Sequence, residues 1–291
     1  MDTREILKKV RLIEIKTRGV VNQIFSGEYH SVFKGRGMEF SEVREYQYGD
    51  DIRTIDWNVS ARFNHPFVKI FEEERELTVM LVVDFSRSGN FGSAAHLKNE
   101  IAAEICAVLA FSAIKNNDKV GLILFTDRIE KFVPPKKGRA HILRIIRELI
   151  FFEPAGTGTN IRQALEYFNH VNKKKCIAFL ISDFIDDGYD TILRIISRKH
   201  DVIAVEITDP REESLPDAGL IRLRDAESGR ERWIDTASAA VRTAYAKFWA
   251  ERRAARSSLF VRSKVDAIPI RVDQPYIKPI VDFFRRRERR M

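Results

Sequence analysis

The sequence predicts an α/β fold of Rossmann-like, three-layer type: a mostly parallel central sheet with helices on both faces. Three observations predict it. Strand-like and helix-like segments alternate from residue 77 onward. Several of the strand-like segments are continuous apolar runs, as strands covered on both faces require. Short acid-, hydroxyl- and glycine-rich segments follow them, where a parallel sheet presents ligand sites.

The elements follow in order. Residues 77–83, LTVMLVV, form an apolar, largely β-branched run and read as a buried strand. Residues 94–117 place Leu97, Ile101, Ile105, Val108 and Leu109 on one side at helical spacing. KVGLILFT (119–126) and RIEKFVPP (128–135) read as two strands joined by a tight turn. HILRIIRELIFF (141–152) reads as a helix that Pro154 stops. NIRQALEYFNHV (160–171) is the next helix and KCIAFLIS (175–182) the next strand. YDTILRIISRK (189–199) and DVIAVEIT (201–208) repeat the helix–strand unit. Residues 220–236 read as a hairpin turning at Glu227-Ser228-Gly229, expected at an edge of the sheet. A long helix over 237–258, a short strand over 267–272 and a terminal helix close the chain.

Residues 1–76 break this rhythm. An amphipathic helix is predicted around residues 5–25, followed by a charge-dense stretch. The division expected is an N-terminal extension, 1–76, docked on a main domain of 77–291. Arginine–carboxylate pairs among Arg44, Glu45, Asp50, Asp51, Arg53, Asp56 and Arg62 would staple the extension to the sheet, with a partner-facing surface as the alternative. On that reading, removing either Arg53 or Asp56 is strongly destabilising.

Composition narrows the function classes. With 44% hydrophobic residues among 291, the chain can bury a core. No run approaches the ~20 apolar residues of a membrane helix, and the first residues lack the pattern of a secretory signal. A cytoplasmic location is therefore expected. Cys106 and Cys176 have no C-x-x-C partner and read as reduced core residues. The net charge is +8, and the terminal RRRERRM supplies a net +4 of it. Those arginines follow an apolar helical stretch and read as a solvated tail at a helix C-terminus, where cations are favoured. Nucleic-acid binding through them is the weaker reading.

The chemistry-bearing residues fall into three segments. Asp84, Ser86 and Ser88 alternate after the first main strand; GTGTN (156–160) carries Thr157 and Thr159; LISDFIDD ends a strand at Asp183, with Asp186 and Asp187 beyond. Hard oxygen donors without nitrogen or sulfur suit Mg²⁺, with Mn²⁺ or Ca²⁺ as alternatives. Two hydroxyls and few carboxylates leave such an ion with excess positive charge, and it then seeks an outside anion.

DFSRS, GTGTNIRQAL and ISDF resemble the three parts of the metal-ion-dependent adhesion site of von Willebrand factor A domains. The resemblance implies that Ser86, Ser88 and Thr159 contact Mg²⁺ directly, with Thr157 as the fallback for Thr159. It implies that Asp84 and Asp183 act largely through waters. The stretch GRGMEFSEVREYQYGDDIRTIDWNVSAR, and the ending YIKPIVDFFRRR, are similar to the bacterial family called Domain of Unknown Function fifty-eight, whose members carry a von Willebrand A-like domain. Such proteins are often encoded beside MoxR-type AAA+ ATPases. The implied function is a non-catalytic, metal-dependent protein-interaction module. Its partner would supply an Asp or Glu carboxylate, and a MoxR-type AAA+ ATPase is the candidate, in chaperone-like complex assembly or maturation.

An enzyme is the competing class. A haloacid-dehalogenase-type phosphotransferase needs a second acid two residues after Asp84, and Ser86 stands there. There is no G-x-x-x-x-G-K-[ST] phosphate loop. A nuclease using Asp50, Asp51, Asp56 and Glu72 to Glu74 lacks a clearly placed base or lysine.

Overall fold

The computed structural model describes residues 38–73, 77–93 and 96–290. The helix predicted around residues 5–25 lies outside them. The chain divides between Leu77 and Thr78 into a small unit, Phe33–Leu77, and a large one that holds every later element.

In the small unit, β1 (Met38–Glu45) pairs antiparallel with β2 (Phe67–Glu73), and a bulge shifts the register between Phe40 and Glu42. A 3-10 turn (Ile52–Thr54) and helix α1 (Trp57–Phe63) lie between the strands. The charged residues here serve local ends. The Arg44 guanidinium grips both Asp50 oxygens, at 2.7 and 2.8 Å, in the bidentate geometry that suits arginine. Asp51 caps the 3-10 turn, and Asp56 Oδ1 accepts from Asn58 and Val59 N–H groups at the start of α1. Three of the acids considered for a nuclease are thereby taken up in capping and pairing. Arg53 is exposed.

The large unit is built on a six-stranded sheet in the order β10-β7-β6-β3-β4-β5. Its strands are β3 (Thr78–Asp84), β4 (Lys119–Phe125), β5 (Ile129–Lys136), β6 (Ile177–Ser182), β7 (Asp201–Thr208) and β10 (Asp266–Arg271). All neighbours are parallel except β5, which pairs antiparallel with β4 at the edge. Pro134 and Pro135 sit in that edge strand, where missing N–H donors are tolerated.

Alternation along the strands sends side chains to opposite faces. Met80, Val82, Ile123, Phe125, Ala178 and Leu180 pack with α4 (Ile161–Val171), α5 (Asp190–Lys199) and the end of α7 (Ala239–Arg262). The alternate positions, such as Val79, Leu81 and Val83, are also fully buried, and α2 (Lys98–Lys115) and α3 (Arg139–Phe151) pack on β3 and β4. The predicted mixed α/β architecture is thus the observed one.

Three local expectations change. Strands β8 (Leu220–Arg224) and β9 (Glu231–Asp235) form a two-stranded sheet of their own rather than an edge of the main one. Leu97 precedes α2 and is 37% exposed, while Lys98 takes a place on the buried face. The terminal arginines are not simply solvated: α8 runs Ile277–Glu288, Arg287 pairs with Asp201 and Asp266, and Arg290 lies 3.5 Å from Asp266. Cys106 and Cys176 are free and buried, as expected. No helix among the described residues is long and apolar enough to cross a membrane.

Candidate metal centre

The chain leaves β3 toward β4 on one side and later returns through β6 on the other. The carboxyl ends of β3 and β6 therefore flank the point where strand order reverses, the position at which open α/β sheets bind ligands. Asp84 is the last residue of β3, and Asp183 directly follows β6.

Direct hydrogen bonds join four of the five predicted residues. Asp84 Oδ1 accepts from Ser86 N–H at 2.9 Å, and Oδ2 accepts from Ser182 Oγ at 2.7 Å. Ser88 Oγ donates to Asp183 Oδ2 at 2.9 Å, and the Ser86 and Ser88 hydroxyl oxygens lie 2.9 Å apart. Asp84 is 8% exposed and Asp183 6%. Burial, with the Asp183 charge beside it, holds the Asp84 carboxyl well above the usual carboxylate range.

The fifth residue, Thr159, stands apart from this network. Its Oγ1 donates to Glu227 Oε1 at 2.6 Å, in the turn between β8 and β9. The loop carrying it is held on the β4–β5 side: Gly156 N–H donates to Glu130 Oε1 at 2.6 Å, and Asn160 N–H to the Thr126 carbonyl at 2.9 Å. Gly156 has no room for a β-carbon, which would stand 2.1 Å from both Thr126 Oγ1 and Asp127 Oδ1. Thr157 meets the first loop through its carbonyl, which accepts from Arg87 N–H at 3.4 Å. Asp186 caps α4 through the Ile161 N–H at 2.8 Å, so it acts as a support and not as a donor to the cluster. Asp187 faces solvent and pairs with Arg252 at 3.1 Å.

Sequence reasoning passed over Lys98. Its Nζ lies 2.7 Å from Asp183 Oδ2 and 2.6 Å from Glu212 Oε1, and the residue is 3% exposed. Burial disfavours the ammonium, but the Asp183 and Glu212 charges outweigh it and the net shift is upward. The signal was present: Lys98 lies three and four residues before Ile101 and Ala102, on the apolar stripe of α2. Glu212 belongs to the short helix α6 (Pro210–Glu213), whose cap Asp209 also accepts from Ser93 N–H at 2.6 Å.

The glycines after Asp84 have a steric role. A β-carbon on Gly89 would fall 2.0 Å from Asn99 Oδ1, so Gly89 lets α2 approach the loop. Neither Gly89 nor Gly92 uses a backbone conformation that only glycine tolerates. Phe184, next to Asp183, does adopt the left-handed region (φ 56°), held by packing against Phe260. Such a conformation costs a bulky residue roughly 1–2 kcal/mol.

A divalent cation fits this donor set. The oxygens are hard, and Ser86, Ser88 and Thr159 each have an acceptor for the hydroxyl proton, which leaves oxygen lone pairs for a cation. Lys98 pairs with Asp183 and Glu212, and a cation in the cavity would add positive charge beside Asp84. A cavity of about 20 Å³ lined by Asp84, Ser86, Ser88, Lys98 and Asp183 has room for about one water or ion. Among the described residues no three His, Cys, Asp or Glu side chains converge as a metal cage, so a bound ion would need the hydroxyls as ligands.

Residues 42–255 match the family described as "Protein of unknown function DUF58". The chain belongs to the DUF58 family. It is 31% identical over 294 residues to the uncharacterized protein Rv1480 of Mycobacterium tuberculosis (strain ATCC 25618 / H37Rv), covering 99% of this chain and 92% of that one. The uncharacterized protein YeaD of Bacillus subtilis (strain 168) is 28% identical over 109 residues, 38% of this chain and 25% of YeaD. Among solved structures, the DUF58 chain is similar to the conserved hypothetical protein BatB from Bacteroides thetaiotaomicron, with a TM-score of 0.46, 16% identity, and coverage of 73% of this chain and 99% of that one. The SpRpn10 VWA domain gives a TM-score of 0.39 at 8% identity, covering 70% and 94%.

Proposed function

We propose that this DUF58 protein is a non-catalytic, divalent-metal-dependent protein-interaction module, with Mg²⁺ as the preferred ion. Ser86, Ser88 and Thr159 would hold the ion through their hydroxyl oxygens, and Asp84 and Asp183 would act largely through waters. The observation that carries the reading is the hydroxyl network: the Ser86 and Ser88 hydroxyl oxygens lie 2.9 Å apart, Ser88 donates to Asp183, and Thr159 donates to Glu227. When bound, the ion would supply the positive charge that a partner's Asp or Glu carboxylate needs. Within the chain, Asp84 and Asp183 keep the site acidic, and Lys98 neutralises Asp183 and Glu212 from the α2 side.

The partner we favour is a MoxR-type AAA+ ATPase, acting with this module in complex assembly or maturation in the cytoplasm. That choice rests on the family resemblance and not on residues of this chain. The test is co-purification of the full-length protein with the candidate ATPase, in Mg²⁺ and in EDTA. The reading expects retention in Mg²⁺, with loss in EDTA and in the S86A/S88A variant. Retention that ignores both EDTA and the variant removes it.

A further inference from the structure

The β8–β9 hairpin pairs with no strand but its own partner among the described residues. Its turn nevertheless reaches the glycine-rich loop. Thr159 Oγ1 donates to Glu227 Oε1 at 2.6 Å, and Glu227 Oε2 lies 3.6 Å from where a β-carbon on Gly158 would stand. That is ordinary contact distance, so the carboxylate rests against the loop at residue 158. The turn is braced to present Glu227: Ser228 N–H and Oγ both donate to Asp225 Oδ1 at 2.6 Å, and Gly229 takes φ 68°.

This is a poor place for a carboxylate on its own. Glu227 is half-buried, and its Oε1 accepts the Thr159 hydroxyl at the glycine-rich loop. Among the described residues no lysine or arginine pairs with Glu227, although Arg224 and Arg230 flank it in the same hairpin. A half-buried carboxylate held by a hydroxyl, with no cationic side chain on it, is a position that a bound cation would complete.

We propose that Glu227 belongs to the metal site, and that the β8–β9 hairpin is a strap closing over a bound divalent cation with Glu227 as its internal carboxylate. This rests on the metal-dependent reading above. The hairpin then occupies the side from which a partner's acidic residue would approach, and that residue has to displace Glu227. Thr159 is part of the same device: it gives its proton to Glu227 and presents its oxygen lone pairs to the ion.

The experiment uses the full chain and Mg²⁺ alone as probe. Amide hydrogen exchange over residues 220–235 is followed with and without Mg²⁺, in wild type and in Glu227→Gln, beside calorimetric Mg²⁺ titration of both. The strap expects slower exchange of the hairpin on Mg²⁺ addition in wild type. It expects that slowing to vanish in E227Q, with Mg²⁺ affinity lowered about 10-fold or more. Mg²⁺ binding to wild type with unchanged hairpin exchange overturns the strap alone, as does an E227Q protein that keeps both protection and affinity. No Mg²⁺ binding by wild type overturns the metal-dependent reading itself and the strap with it.

Discussion

The Lys98 ammonium lies 2.7 Å from Asp183 Oδ2 and bridges to Glu212 Oε1 at 2.6 Å, beside the carboxyl end of β6. One fixed positive charge therefore already balances part of the acid cluster. Replacing it by an apolar side chain of similar length leaves two carboxylates facing each other. Lys98→Met should cost about 3–5 kcal/mol in urea unfolding without divalent ions. Mg²⁺ should recover part of that loss, since a second cation can then take over the charge. Unchanged stability in K98M would show that the ammonium does not compensate these acids.

The approach of α2 to the Asp84 loop depends on Gly89. A β-carbon there falls 2.0 Å from Asn99 Oδ1, a side-chain atom that can be removed. Gly89→Ala should destabilise by about 1–3 kcal/mol. The double variant G89A/N99A should recover most of the loss. Equal destabilisation in the single and double variants would place the strain elsewhere.

A buried imidazole predicts acid sensitivity. His200 is 2% exposed, Nδ1 lies 3.2 Å from Cys176 Sγ, and the ring meets Phe168 edge-on at 4.8 Å. Burial, helped by the Lys199 charge, lowers its pKa from 6.5 to about 4. The folded protein thus binds fewer protons here than the unfolded chain between those values. The stabilisation is complete above pH 6.5 and disappears as pH falls toward 4, by roughly 1–3 kcal/mol. Thermal unfolding of wild type and His200→Gln over that range checks it. The variant should show the shallower loss, and parallel curves would contradict the assignment.

In the small unit the two charged residues once expected to matter equally should separate. Asp56 caps α1 through two backbone N–H groups, with Lys69 at 3.5 Å, whereas Arg53 is exposed. Asp56→Ala should cost about 1 kcal/mol, and Arg53→Ala less than about 0.5. Chemical denaturation followed by circular dichroism reads both. A larger loss from R53A would support the stapling role.

The parts legible in the sequence were those encoded locally. Residues 77–83, 119–126 and 201–208 are continuous apolar runs, and all three are strands of the main sheet. The β1–β2 pair was not legible, because the bulge between Phe40 and Glu42 breaks the two-residue alternation that marks a half-buried strand. Asp84, Ser86, Ser88 and Asp183 were legible because each stands next to a strand end, and hydrogen bonds do join them. Glu227 was not, since its contact with Thr159 spans 68 residues and no local pattern encodes it. Lys98 was readable from helical spacing, but a lone lysine on an apolar stripe is easily assigned to the solvent side.

The central claim is that the Asp84 cluster binds a divalent ion, and calorimetric titration of Mg²⁺ into wild type and Asp84→Asn tests it most directly. Asparagine keeps the size of the side chain and an oxygen able to accept from Ser86 N–H, so the fold should survive while the charge is lost. The account predicts saturable binding with single-site stoichiometry in wild type, and its loss or at least a 10-fold weakening in D84N. Identical titrations for the two folded proteins would contradict it.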